Sequence, residues 1–154
     1  MAAFGSTAQI TRLIETRKMM HAGTYNANPV VIAAGLAALR DVLTPDKYRQ
    51  MGQLSDRLAV GYREILSAAG VPALVTNAGV NGAVTFGVGS VSNYRDWSKM
   101  DTERWRCYWF AMVNRGVIPQ PYWWDEQWTI SVAHTEADID RHLAALREVA
   151  PELS

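Results

Sequence analysis

The residues His21 to Pro29, HAGTYNANP, run straight into the apolar segment VVIAAGLAALRDVL. Gly, Thr and Asn at the mouth of a helix can hold an anion. The first N–H groups of a helix lack intrahelical partners, the helix dipole is positive at that end, and a Thr hydroxyl adds a donor. Thr24, supported by Gly23, is the candidate phosphate contact. The ordinary use of such a pattern is an N-cap, in which Asn26 or Asn28 satisfies the same N–H groups, and pattern alone favours that cap.

The remaining reactive types point to little. His21, His134 and His142 stand at no metal-ligand spacing from one another, from Cys107 or from a carboxylate, so no metal site is expected. His134, just ahead of a helix start, suits a structural hydrogen bond. Cys107 lies among Trp105, Tyr108 and Trp109 on a helix face expected to be buried, where a thiol behaves as a small hydrophobe. Ser6, Ser90 and Ser131 lack the glycines of a nucleophile elbow. Tyr122, Trp123 and Trp124, with Trp128, follow two prolines; consecutive aromatics in such a loop cannot all enter a core, so at least one lines a groove or an interface. Packing against a neighbour explains them as well as ligand binding does.

The elements that position these residues follow from periodicity. A short helix starts after Gly5-Ser6-Thr7 with Ile10, Leu13, Ile14 and Arg17 on one side. The apolar helix behind Pro29 ends near Leu43, because Pro45 disfavours helix at Thr44 and suits the first turn of the next one. That next helix places Tyr48, Met51, Leu54, Leu58, Ile65 and Leu66 at helical spacing and runs to about Ala69, with Gly70 as its C-cap. VPALVTNAGVNGAVTFGVGS reads as two strands and a turn. DTERWRCYWFAMVNRG is a helix with Trp105, Tyr108, Trp109 and Met112 on one face and Gly116 as its stop. VIPQPYWWDEQ is irregular, WTISVAH a strand, and Thr135 with Asp138 a capping box for a last helix that turns Ile139, Leu143, Leu146 and Val149 inward and stops before Pro151. The class is α/β or α+β: helices, then a small sheet covered by helices.

Composition bounds the rest. The chain of 154 residues, 49% hydrophobic and 19% charged, is long enough for a globular domain with a core. Fifteen basic residues balance fifteen acidic ones, which leaves no electrostatic footprint for nucleic acid or an anionic membrane surface. Cys107 has no partner for an internal disulfide, MAAFGSTAQITRL lacks the features of a signal peptide, and Val30 to Leu39 is far short of the roughly 20 residues needed to span a bilayer. A soluble, cytoplasmic protein is expected.

Two stretches taken together resemble the class III (fold type I) pyridoxal-phosphate aminotransferases, in the branch of glutamate-1-semialdehyde aminomutase and the β-amino-acid transaminases. HAGTYNANPVVIAAGLAAL is similar to that family's G-T-x-x-x-N-P and alanine-rich helix. WFAMVNRGVIPQP and ISVAHTEADIDRHLAAL resemble its closing pattern of helix, pocket loop, strand and AHTxxDID. MAAFGS is similar to the GAFGG that follows the family's cofactor lysine.

The resemblance implies the C-terminal portion of a fold type I enzyme: helices followed by a small, mostly antiparallel sheet covered by helices. Residues 1–43 would end the large-domain region and carry the cofactor-phosphate motif, 44–70 would be an interdomain helix, and 71–154 the small C-terminal domain. Thr24, with Gly23, would reach the phosphate of pyridoxal 5'-phosphate across a dimer interface. The loop Pro119 to Trp124, with Gln120, Tyr122 and Trp123, would lie near the substrate. The family's Schiff-base lysine precedes the matched region, and Lys18, Lys47 and Lys99 stand in polar or exposed contexts that do not depress an amine pKa. No catalytic lysine is therefore expected in this chain. A separate N-terminal segment or chain would supply it, in a homo- or hetero-oligomer that shares the cofactor, and the chain would be inactive alone, as a piece of a split, cleaved or truncated enzyme. The alternative is a catalytically silent binding domain derived from that fold. Apolar surface along Val30 to Leu39 is expected to drive association.

Overall fold

The computed structural model describes residues 4–154. The chain falls into two compact units, Met1–Thr44 and Pro45–Ser154.

In the first unit, α1 (Ala8–Glu15) follows Thr7, which holds the extended backbone of an N-cap without a side-chain bond. The helix α2 (Pro29–Ala37) begins with Pro at its first turn, where a missing N–H costs nothing. Its last turn widens into a π-helical stretch, Ala38–Val42, closed by the Leu43 N–H donating to Ala38 O at 2.8 Å. The helix thus ends at the expected break ahead of Pro45. No residue of α1, α2 or the π-helical stretch is buried. The face from Val30 to Leu39 is open as expected: Val30 is 76% and Leu39 57% exposed.

In the second unit, α3 (Pro45–Ala68) buries Met51, Leu54, Leu58, Tyr62 and Leu66, a stripe at spacings of three and four residues. Tyr48 stays half exposed, and Tyr62, absent from the expected stripe, lies at its centre. Gly70 ends the helix at φ 68°, a conformation that a side chain resists. The strands β1 (Ala73–Ala78) and β2 (Asn81–Phe86) form an antiparallel hairpin through Gly79-Val80, and β3 (Trp128–Thr129) pairs with the other edge of β2. The expected strand WTISVAH shrinks to two residues, because the chain turns at Ser131 and His134 to start the last helix. A short helix α4 (Tyr94–Trp97), capped by Asn93, occupies the polar loop after the hairpin.

Gly82 faces Trp128 across the β2–β3 pair, and a Cβ there would come within 2.1 Å of the indole. The absent side chain lets Trp128 lie over the strand and stack on Tyr62, ring centroids 5.3 Å apart. On the same face of β2, Val84 and Phe86 are buried, two residues apart as a pleat requires. The helix α5 (Thr102–Asn114) adds fully buried Trp105, Tyr108 and Met112. The helix α6 (Glu136–Val149) adds Ile139, Leu143, Leu146 and Val149, all four as expected. Each such large apolar side chain contributes roughly 1.5–3 kcal/mol by leaving water. The helix α6 opens with the expected capping box, Thr135 and Asp138 satisfying each other's backbone N–H groups. It runs on past the expected stop into a 3-10 turn, Ala150–Leu153.

Cys107 is a correction: it is exposed, since α5 turns Trp105, Tyr108 and Met112 inward and position 107 falls on the opposite side of the helix.

Candidate functional site

The turn before α2 is built by its own asparagines. The Asn26 N–H donates to Gly23 O at 3.0 Å and the Asn28 N–H to Tyr25 O at 3.1 Å. Ala27 takes a positive φ of 56° between them. Asn28 Oδ1 then accepts from the N–H groups of Val30 and Val31, at 3.0 and 3.3 Å. The helix mouth is therefore capped by Asn28, so the groups that made it attractive for an anion are already satisfied. What stays available lies four residues earlier: among the described residues neither the hydroxyl nor the N–H of Thr24 takes a hydrogen bond, and Thr24 is exposed. At Gly23 the Asn26 side chain lies close, its Oδ1 2.7 Å from where a Cβ would stand, and would have to swing aside for a larger residue. Two donors on one exposed residue fit the edge of a phosphate.

In the second unit, a cleft of about 490 Å³ opens between the loop from Ile118 to Trp128, the β3 edge and α6, over Leu58. Of the three expected pocket residues only Gln120 lines it. Gln120 is buried; its Nε2 donates to Glu126 O at 3.1 Å, and its backbone carbonyl accepts from Trp109 Nε1 at 2.9 Å. Its Oε1 is sealed from solvent with no partner among the described residues. Tyr122 instead packs on Trp105 and Trp109, ring centroids 5.6 and 4.8 Å away, and Trp123 stacks on Trp124 at 4.1 Å. Both remain partly exposed, as consecutive aromatics in a loop must.

Sequence reasoning missed the polar chain behind this cleft. Tyr108, Tyr62 and His142 form a buried line: the Tyr108 and Tyr62 hydroxyls are hydrogen-bonded, and Tyr62 Oη lies 2.6 Å from His142 Nε2. Burial pushes both phenols above their usual range, so both keep their protons, and burial pushes the His142 imidazole down to about 4. A neutral imidazole and two protonated phenols can share these hydrogen bonds with no charge along the line. Only the step of four between Leu58, Tyr62 and Leu66 in the sequence pointed to Tyr62 as a core residue.

His134, on the rim, accepts the Ser131 N–H at Nδ1, 3.0 Å away, which is the structural bond expected of it. The cleft is walled by Asp138 and Glu126 and by no Lys or Arg. Hydrogen bonds from Thr135 hold the Asp138 carboxyl below the usual carboxylate range. Among the described residues no three His, Cys, Asp or Glu side chains converge on a common point, and no helix is long and apolar enough to cross a membrane. Lys18, Lys47 and Lys99 are all exposed, so none offers the desolvated amine that covalent capture of a carbonyl cofactor needs. The residues present thus fit the phosphate end of such a cofactor and not its reactive end.

No protein-family model matches the chain. The sequence is 36% identical over 152 residues to a glutamate-1-semialdehyde 2,1-aminomutase of Sorangium cellulosum (strain So ce56), covering 96% of this chain and 34% of that protein. An omega-transaminase from Sphaerobacter thermophilus shares the fold with a TM-score of 0.83 at 26% identity, over 97% of this chain and 34% of that one. A glutamate-1-semialdehyde-aminomutase from Pseudomonas aeruginosa PAO1, solved in complex with PMP, shares it with a TM-score of 0.78 at 24% identity, over 97% of this chain and 35% of its own. The chain thus spans about a third of the length of the curated relatives it matches. Related over nearly its whole length to these enzymes, and folded like their closing third, the chain belongs with the C-terminal part of the class III aminotransferases, in the branch of the glutamate-1-semialdehyde aminomutases.

Proposed function

We propose that this chain works as the C-terminal part of a pyridoxal-phosphate-dependent aminotransferase, which moves an amino group between an amino acid or amine and a keto acid or aldehyde. The observation that carries the reading is Thr24, an exposed residue whose hydroxyl and N–H are both uncommitted at a turn shaped by Gly23 and Asn26. Pyridoxal phosphate, when bound, supplies the electron sink that such a transfer requires. Thr24 would hold its phosphate, with Gly23 keeping the turn tight. The loop Pro119 to Trp124 would form one wall of the substrate pocket, with Gln120 oriented by Trp109 and Glu126 and with Tyr122 and Trp123 excluding water. The reactive lysine would come from an N-terminal segment or a second chain, in a cytoplasmic homo- or hetero-oligomer.

A second reading has its own observation. All three lysines are exposed, which suits a domain that keeps the fold and binds a partner or a phosphate ligand without chemistry.

Intact mass and absorbance of the native preparation separate the two. A larger second polypeptide, or a longer form of this one, carrying a near-visible chromophore that borohydride fixes to it covalently, supports the aminotransferase reading. A lone 17.1 kDa species without a chromophore, and without one after pyridoxal phosphate is added, sinks it and favours the silent domain.

A further inference from the structure

The strand β1 stands at one side of the sheet, and among the described residues no other strand pairs with its outer edge. The Gly87 N–H donates to Pro72 O at 2.8 Å, and the register continues unbroken from Ala73 opposite Phe86 to Ala78 opposite Asn81. Hydrogen-bonded pairs alternate in an antiparallel ladder, so Leu74, Thr76 and Ala78 spend their backbone groups on β2 while those of Ala73, Val75 and Asn77 point outward. Such a row is a template for another strand. The sequence of β1, ALVTNA, has no charge and no proline, and its register has no bulge, so the strand itself lacks the usual means of blunting an edge.

The cover comes from α3. Arg63 donates to Val75 O from Nε at 3.3 Å and from Nη2 at 3.1 Å, which takes the acceptor at the middle of the outward row. The same Nη2 donates to Asn77 Oδ1 at 3.0 Å, and Asn77 Nδ2 donates to Asp56 Oδ1 at 2.6 Å. Asp56 and Arg63 stand about two turns apart on α3, so one helix holds the Asn77 amide from both of its ends. A guanidinium fixed on Val75 O puts charge and bulk where a neighbouring strand would have to lie. The row centred on Val75 is also self-complementary. An antiparallel copy sets Ala73 against Asn77 and Val75 against itself about a two-fold axis, and every outward group then finds a partner. We propose that the outer edge of β1 is a pairing surface for the same edge of a second copy of this chain, and that Arg63, anchored by Asn77 and Asp56, is the guard that holds it shut. The inference stands on the second unit alone and does not rest on the cofactor reading.

The test uses the full 154-residue chain carrying Val30→Lys and Leu39→Lys, which remove the exposed face of α2 as a rival contact. With Arg63 intact, hydrogen exchange should find the amides of Ala73, Val75 and Asn77 at least about tenfold less protected than those of Leu74, Thr76 and Ala78, and sedimentation velocity sets the baseline mass. Arg63→Met keeps the stem of the side chain but donates nothing. It should add an association that grows with concentration and protects the Ala73, Val75 and Asn77 amides by about tenfold. Arg63→Lys, which restores a donor and a charge at the edge, should suppress that association. The proposal is overturned if folded Arg63→Met gains no association, if it associates with those amides left unprotected, or if Arg63→Lys associates as strongly. Protection of the same amides with Arg63 intact overturns it too. If Arg63→Met fails to fold, Asn77→Ala, which alters only a half-buried side chain and frees the guanidinium from its anchor, decides on the same readout: association that protects the outward row supports the guard, and an unchanged mass sinks it.

Discussion

The Tyr62 hydroxyl and His142 Nε2 are hydrogen-bonded across 2.6 Å, in a core where Tyr62 is wholly buried and His142 nearly so. Tyr108 completes the line through its hydrogen bond to the Tyr62 hydroxyl, so both phenol oxygens and His142 Nε2 have a partner.

That line makes the second unit acid-sensitive in a defined window. The unfolded chain takes up the His142 proton as pH falls below its ordinary value of 6.5, whereas the folded chain takes it up only near 4. Stability is therefore full above 6.5, declines between 6.5 and about 4, and loses on the order of 3 kcal/mol to this one group. Urea unfolding across that range should show the decline, and His142→Gln, which keeps an acceptor for Tyr62 without titrating, should flatten the slope by about one proton. An unchanged slope in the variant would assign the acid sensitivity to other groups.

Gly82 is the position where a single methyl group should do the most harm. Its Cβ would meet both the Trp128 indole at 2.1 Å and Thr76 O at 2.8 Å, so neither the ring nor the strand can stay in place. Gly82→Ala should cost roughly 1–3 kcal/mol by displacing Trp128 from Tyr62. Near-ultraviolet circular dichroism reports the lost aromatic contact, and a wild-type spectrum with wild-type stability would contradict the packing described.

The open face of α2 should make the isolated chain associate. Val30, Ile32, Leu36 and Leu39 are between 43% and 76% exposed, and a run of apolar side chains of that kind is a contact surface. Sedimentation velocity should show oligomers that shift to smaller species in a Val30→Lys, Leu39→Lys double variant. A monodisperse monomer at high concentration in the unaltered chain would count against it.

Much of this architecture is local and was legible from the sequence, because helical and strand periods need no knowledge of partners. The stripes of α3, α5 and α6, the hairpin at Gly79-Val80, the breaks at Pro45 and Gly70, and the Thr135–Asp138 capping box all follow from residues a few positions apart. The turn at Gly23 and Thr24 was legible as a place for an anion, and so was the cap that competes for it. Which groups meet across the fold was not legible. Periodicity says that a residue faces inward but not what it faces, so the pairing of Tyr62 with His142, 80 residues apart, emerges only when α3 and α6 pack. Cys107 went wrong for a related reason: its aromatic neighbours in sequence suggested burial, while the helix placed it on the opposite side. The loop after Pro119 divides in the same way. Consecutive Tyr122 and Trp123 remain partly exposed while Gln120, the polar residue, goes inside, because Trp109 Nε1 and Glu126 O hold its backbone and side chain there. Local spacing determined the elements; the packing of elements far apart in sequence, which alone supplies buried groups such as Tyr62 and His142 with each other as partners, decided the site.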